Sequence, residues 1–166
     1  MNIRRIIKNI SLQRYEKAIR RKAVNIGQGF KVNGKSSING EVTLGDNVNF
    51  NGMSIRGVGK TVIGNNFHSG IDCVILTSNH NYEGDHIPYD ATMIRKTVVI
   101  EDNVWIGDHV MILGGVTLGE GCIIQAGSVV SCSIPACAIA GGNPAKVFKY
   151  RDREHYEVLK LEGKYL

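Results

Sequence analysis

At 166 residues, with 43% apolar and 21% charged positions, the chain has the size and balance of one ordinary soluble domain. No apolar stretch approaches the length of a bilayer span, and the opening Met1-Asn2-Ile3-Arg4-Arg5-Ile6-Ile7-Lys8 lacks the long apolar core and cleavage site of a signal peptide. The net charge of +5 is uneven. Residues 1–22 carry eight Arg or Lys against the single Glu16, whereas the remainder is net −2, so the basicity belongs to one segment and no nucleic-acid partner is expected.

That segment, residues 1–23, comes first. It lacks Gly and Pro and places Ile3, Ile6, Ile7 and Ile10 at helical spacing, with Tyr15, Ala18 and Ile19 continuing a looser stripe. The reading is an amphipathic helix that either covers the first element of the domain or lies against an anionic surface such as a membrane. Four cysteines (Cys73, Cys122, Cys132, Cys137) form no CxxC pair or disulfide framework, which suits a reduced, cytoplasmic protein.

Residues 24–149 are organised by a period of six. Ile26, Val32, Ile38, Leu44 and Phe50 form one run; Ile63, Ser69 and Ile75 a second; Ile100, Ile106, Ile112, Leu118, Ile124, Val130 and Ala136 a third. Neither a helix (period 3.6) nor a simple strand (period 2) repeats this way. A short fixed period means a solenoid whose repeats bury their apolar faces only by stacking. A second small or branched residue recurs four places on, at Val48, Val104, Val110, Val116, Cys122, Ser128 and Ile134. Gly, Asn and Asp between the marks suit corners that need positive φ. Three short strands per turn give about five coils of a parallel β-helix, an all-β solenoid. Arg56–Thr61 adds one residue to the count, which predicts an irregular corner, and Gly59-Lys60-Thr61 lacks the earlier Gly of a phosphate loop. The period halts at Ile75 and resumes near Ile100. The insertion, about residues 77–97, is polar and rich in turn formers, as a functional loop projecting from a corner would be. Residues 150–166 contain a short helix expected to cap the far end.

The runs Ile100-Glu101-Asp102-Asn103-Val104-Trp105-Ile106-Gly107, Gly115-Val116-Thr117-Leu118-Gly119 and Ala140-Gly141-Gly142-Asn143-Pro144-Ala145-Lys146 closely resemble the hexapeptide-repeat acetyltransferases, nearest to the galactoside, maltose and polysaccharide O-acetyltransferases. The resemblance covers roughly residues 24–150. It implies a left-handed β-helix, a homotrimer and acetyl-CoA as co-substrate, with the site between adjacent subunits. It implies His80, at the mouth of the insertion, as the general base that takes the proton from an acceptor hydroxyl. Asn51, Tyr82 and Trp105 fall on the acceptor side. The backbone amide near Asp108 matches the thioester-carbonyl contact, Ala126 and Ser131 the path of the pantetheine arm, and Lys146 and Lys149 the phosphate contacts. Asp72, Glu83 and Asp85 are all candidates for a carboxylate that orients His80. The chain departs from the pattern at Ser131-Cys132-Ser133, where relatives carry a Thr-Lys-Asp type corner. The resulting expectation is acetyl transfer to a sugar hydroxyl in surface polysaccharide or its precursor. The alternatives are N-acetylation of a nucleotide-linked amino sugar, O-acetylation of a xenobiotic, and a non-catalytic trimeric scaffold or metal-binding solenoid. The spacings of His68, Cys73, His80, His86 and His109 match no familiar metal site, so no metal is expected.

Overall fold

The computed structural model describes residues 3–166. Helix α1 (Ile3–Lys22) leads into strands taken three per turn of a parallel solenoid. The first coil holds β1 (Asn25–Ile26), β2 (Lys31–Val32) and β3 (Ser37–Ile38). The second holds β4 (Glu41–Leu44), β5 (Asn49–Phe50) and β6 (Met53–Arg56), and the third β7 (Lys60–Ile63), β8 (His68–Ser69) and β9 (Cys73–Leu76). An antiparallel hairpin, β10 (Ser78–His80) and β11 (Met93–Arg95), interrupts the winding. The fourth coil follows with β12 (Val98–Ile100), β13 (Trp105–Ile106) and β14 (Met111–Ile112). The fifth has β15 (Thr117–Leu118), β16 (Ile123–Ile124) and β17 (Val129–Val130), and a sixth begins at Ile134 and ends in β18 (Ala138–Gly142). Strand β19 (Ala145–Tyr150) folds back antiparallel on β18, and α2 (Arg153–Leu161) follows.

Strands in corresponding positions stack into three faces. The first face runs β1-β4-β7-β12-β15, the second β2-β5-β8-β13-β16-β18-β19 and the third β3-β6-β9-β14-β17. This is the left-handed β-helix that the resemblance implies, with five complete coils and part of a sixth.

The inward positions are those the period marks. Ile38, Leu44, Phe50, Ile63, Ser69, Ile75, Ile100, Ile106, Ile112, Leu118, Ile124 and Val130 are buried, and so are Val48, Val104, Val110, Val116, Cys122, Ser128 and Ile134 at the second positions. Lower in the solenoid, the Phe30, Phe50 and Phe67 rings stack edge-to-face at 5.4 and 6.2 Å between centroids. Each such side chain contributes about 1.5–3 kcal/mol when buried, which it gains only once the neighbouring coil is in place. Burial also pushes the Cys122 thiol up to about 12, as an inward, inert cysteine requires.

Corners hold the coils in register. At the corner between the first and second faces, Gln28 N–H donates to Asp46 Oδ1 at 2.6 Å. Asp46 N–H donates to Asn65 Oδ1 at 2.8 Å, and Asn65 N–H to Asp102 Oδ1 at 2.7 Å. Beside them Asn47, Asn66 and Asn103 adopt φ of 52°, 54° and 61°, the left-handed conformation for which Asn is suited. Their amides donate up the stack, Asn47 to Asn66 at 3.1 Å and Asn66 to Asn103 at 2.9 Å.

The structure corrects three expectations. Ala136 is exposed, because Pro135 offers no N–H to extend the ladder and the chain turns early. Ile134 pairs with Leu118 instead, sixteen residues on rather than eighteen, and buried Ala140 pairs with Ile124 at the same interval. The irregular corner takes the form of a five-residue step to buried Ile55 and an eight-residue step to Ile63. Gly59 sits in it, where a Cβ would collide with the carbonyls of Lys96 and Thr77 as the insertion returns.

The second correction concerns α1, which is not a single-stripe amphipath. Tyr15 and Ile19 lie on the face opposite Ile3, Ile7 and Ile10. Ile19 is buried and Tyr15 packs on the core, while Arg20 covers the Phe30 ring at 5.4 Å. Ile3, Ile7 and Ile10 are exposed.

Third, α2 lies along the corner between the first and second faces rather than across the last coil. Its one buried residue, Tyr156, sits against Gly121, whose φ of +67° leaves no room for a Cβ beneath the ring. The Tyr156 hydroxyl donates to Glu120 Oε1 and accepts from Asn103 Nδ2, each at 2.9 Å. Burial opposes ionisation of Glu120, but hydrogen bonds from Lys160 and Tyr156 outweigh it and hold the carboxyl below its ordinary range. The chain after α2 runs down the same corner until Asn47 Nδ2 donates to the Leu166 carbonyl at 2.7 Å.

Two outcomes are expected. Thr61 Oγ1 is buried without a hydrogen-bond partner among the described residues, whereas Thr77 Oγ1 accepts from Gly59 N–H and donates to the Arg56 carbonyl. Denaturant unfolding should therefore find Thr61→Val neutral or stabilising by about 1 kcal/mol and Thr77→Val destabilising by about 1–3 kcal/mol. Because the Glu120 carboxyl titrates below its ordinary 4.5 when folded, its contribution is present above that value and is lost as pH falls through the lowered one. Melting temperature below about pH 4.5 should fall less steeply in Glu120→Gln than in the native protein, with the variant already lower at neutral pH.

Candidate active site

The second and third faces meet at a corner that carries Asn51, Gly70, Asp108 and Ala126 on successive coils. Asn51, His68, Ser69, Gly70, Trp105 and Asp108 line one open groove there. The period explains the alignment. Residues eighteen or so apart, or 37 where the insertion intervenes, fall at the same place on successive coils, and Asn49, His68, Trp105 and Ile123 are register partners on the second face. Trp105 is 55% exposed and forms a wall of the groove.

Asn51 is tied at both ends of its amide. Its Nδ2 donates to the Ser69 carbonyl at 2.7 Å, its Oδ1 accepts from Asn33 Nδ2 at 3.0 Å, and its backbone N–H donates to Ser69 Oγ at 3.1 Å. It therefore stitches three coils together, with one amide hydrogen left for a ligand. Asp108 is likewise tied to its neighbours: its carboxylate Oδ1 accepts from Ile71 N–H at 2.9 Å and its backbone carbonyl accepts from Gly127 N–H. A Cβ at Gly70 would collide with the Asp108 nitrogen and Oδ1, so glycine lets the two coils stack closely at this corner. Ala126 lies directly over Gly107, where a Cβ on the glycine would meet Ala126 N at 2.7 Å. The groove is thus backbone-lined at the place where a thioester oxygen would need donors.

His80 is elsewhere. It ends β10, beyond the third face, at the corner leading back to the first. Its ring is exposed and stacks on Tyr89, centroids 3.9 Å apart and planes 15° from parallel. Among the described residues none of Asp72, Glu83 and Asp85 hydrogen-bonds to it. Asp90, the remaining acid of the hairpin, accepts from both Thr92 N–H (2.8 Å) and Thr92 Oγ1 (2.6 Å), which hold its carboxyl below the usual range. Tyr82 is exposed on the same hairpin. Ser131 lies on the His80 corner two coils on, exposed beside Cys132, while Ser133 Oγ accepts from Thr117 N–H at 2.9 Å. Lys146 and Lys149 stand exposed on β19.

One chain therefore gathers Asn51, Trp105, Asp108 and Ala126 on one corner. It puts His80, Tyr82 and Ser131 on another, and the two lysines on the terminal strand. Gly70 and Tyr89 enter only with the structure, and His68, weighed in the sequence only as a metal ligand, enters as a groove residue. His68 Nε2 lies 3.3 Å from Asn49 Nδ2 and the ring lines the groove, a placement readable from its register with Trp105. The histidines and Cys73 do not gather: among the described residues no three metal-ligating side chains converge.

Comparison with known proteins agrees with this fold. A family model described as bacterial transferase hexapeptide (six repeats) matches residues 97–132. The structure is similar to that of a maltose O-acetyltransferase from Clostridium difficile 630, at TM-score 0.70 and 30% identity over 89% of this chain and 82% of that one. It is similar also to a galactoside acetyltransferase in complex with coenzyme A, at TM-score 0.74 and 28% identity over 86% of this chain and 73% of that one. The chain belongs to the hexapeptide-repeat acetyltransferase family. Among curated relatives, galactoside O-acetyltransferase of Escherichia coli (strain K12) is 31% identical over 138 residues, 80% of this chain. A Staphylococcus aureus (strain MRSA252) protein carrying an acetyltransferase name is 53% identical over 55 residues, 33% of this chain. The chain spans 58% of the first of these relatives and 28% of the second.

Asn51→Ala should lower unfolding free energy by about 1–3 kcal/mol, because it strands the Ser69 carbonyl and the Asn33 amide together. A denaturation midpoint equal to the native one would show that the amide does not stitch the coils.

Proposed function

We propose that the protein transfers an acetyl group from acetyl-CoA to a sugar hydroxyl of a surface polysaccharide or its precursor, working as a homotrimer with active sites between adjacent subunits. The observation that supports this reading best is the division of the site within one chain. Asn51, Trp105 and Asp108 line a groove on one corner, while the imidazole sits on a separate corner. A neighbouring copy that sets its His80 corner against the groove completes the constellation. The exposure of Trp105, Met111 and Ile71 around the groove gives that copy an apolar surface to cover.

The chemistry needs no covalent enzyme intermediate. His80 accepts the proton of the acceptor hydroxyl as its oxygen attacks the thioester carbonyl. The backbone N–H of Asp108, on the groove corner, donates to the oxygen on which negative charge develops. Collapse expels the thiolate of coenzyme A, which takes the proton from the imidazolium, leaving the acetyl ester and the free thiol. Tyr89 fixes the plane of the imidazole by stacking, the role a carboxylate plays at other histidine bases. Cys73, Cys122 and Cys137 are buried and burial raises all three, so none of them competes for the acyl group; Cys132 is exposed beside Ser131, two coils on from His80. Lys146 and Lys149 are the cations assigned to the nucleotide phosphates.

Thiol release from acetyl-CoA across a panel of sugars and oligosaccharides tests the reading. His80→Ala should lose about 100- to 10,000-fold in turnover. Quenching of Trp105, the single tryptophan, should report coenzyme A binding of unchanged affinity. Equal turnover by the variant would remove His80 from the mechanism. Silence across the panel without coenzyme A binding would favour the non-catalytic scaffold.

A further inference from the structure

Helix α1 carries two different surfaces. One is settled: Tyr15 and Ile19 face the first coil, Arg20 lies over Phe30, and Lys22 Nζ donates to Asn39 Oδ1 at 3.2 Å. Glu16, the single acid of the helix, is held by Arg20 on this side at 2.9 Å. The other surface has no such use. Ile3, Ile7, Ile10, Arg14, Lys17 and Arg21 follow one another in steps of four and three, which keeps them on one stripe along a helix of 20 residues, about 30 Å long. The three isoleucines are 71%, 59% and 45% exposed, and the three cations are exposed and make no ion pair among the described residues. None of the described side chains from Ile3 to Ala18 is buried.

A stripe of three isoleucines followed by three cations, with no acid on it, fits one surface chemistry. We infer that this outer stripe of α1 is a membrane-docking face. Ile3, Ile7 and Ile10 enter the boundary between acyl chains and headgroups, while Arg14, Lys17 and Arg21 rest on the headgroups of anionic phospholipid. A second copy of the same stripe is a poor occupant, because in parallel it would bring like cations together and antiparallel it would set each cation against an isoleucine. A bilayer supplies both an apolar layer and negative charge, the two things the stripe lacks. The body of the solenoid, net −2, adds no attraction of its own, so the contact is confined to the helix. Among the described residues no helix is long and apolar enough to cross a membrane, and the inferred contact is a peripheral one. For an acetyltransferase working on membrane-borne glycan precursors the helix would hold the catalytic grooves beside their acceptors. That consequence rests on the function proposed above, whereas the docking itself does not.

Flotation of the full chain with vesicles of phosphatidylcholine containing about 30 mol% phosphatidylglycerol tests it. The native protein should float with these vesicles and not with pure phosphatidylcholine. Raising salt from about 0.05 to 0.5 M should weaken partition more than tenfold. Ile3→Ser, Ile7→Ser and Ile10→Ser together should reduce partition at least about tenfold, and Arg14→Gln, Lys17→Gln and Arg21→Gln about fivefold for each cation. The melting temperature of both variants should stay native, since neither set touches the core. Absence of flotation on anionic vesicles would overturn the inference. So would variants that float like the native protein, or an isoleucine variant whose only change is a smaller oligomer in sedimentation. Loss of flotation with full acetyl transfer would support docking alone, and flotation by a protein that transfers nothing would leave docking standing while the proposed activity fails.

Discussion

Every other feature of this molecule depends on the chain turning at the same place, coil after coil. A turn each six residues requires a left-handed residue, which Asn47, Asn66 and Asn103 supply at the first corner. The residue before each one then reaches to the coil below, as Asp46, Asn65 and Asp102 do when their side-chain oxygens take a backbone N–H of the preceding turn. With the corners pinned, the aliphatics of neighbouring coils come to lie one above another and exclude water. Without the corners each short strand would have neither register nor core.

Vertical register of this kind builds surfaces as readily as interiors. The outward residues Asn49, His68, Trp105 and Ile123 form a column only because the inward Phe50, Ser69, Ile106 and Ile124 do. A solenoid edge therefore offers a column of side chains and exposed peptide groups, but only one corner's worth. A constellation needing a base as well must recruit it from a loop or another molecule. In the proposed mechanism the β10–β11 hairpin supplies the base, and it projects from a corner that the groove of the same chain does not share. Division of the site thus follows from the geometry of a triangular coil, whose corners face away from one another.

The six-residue period made the core legible from the chain alone, down to the buried serine at Ser69 and the small thiol at Cys122. It failed where a local backbone constraint outranked the pattern. Pro135 cannot donate to the ladder, so Ala136 is outside and Ile134 inside. The helix at the start misled for a different reason: helical spacing within Ile3–Ile10 and within Tyr15–Ile19 is correct in each half, but the halves present opposite faces. Spacing identifies a stripe without saying which stripe the solenoid will choose to cover.

The site divides along the same line. A resemblance in motif order marked His80, Asn51, Trp105 and Asp108, and nothing in their linear positions indicates that His80 stands apart from the other three. Nor does the chain reveal that Tyr89 stacks on the imidazole, that Gly70 lets the Asp108 coil pack closely on it, or that Asn51 spends most of its hydrogen-bonding capacity on neighbouring coils. Those are contacts between residues brought together by winding, and a partner fixed by tertiary approach leaves no periodic trace. By itself the sequence determined the repeat, its inward residues and the place where it is interrupted, because burial imposes one side-chain requirement per strand. The tertiary structure decided which corner each functional group occupies and which face of α1 is left uncovered, because both depend on how far the chain has turned when each residue is reached.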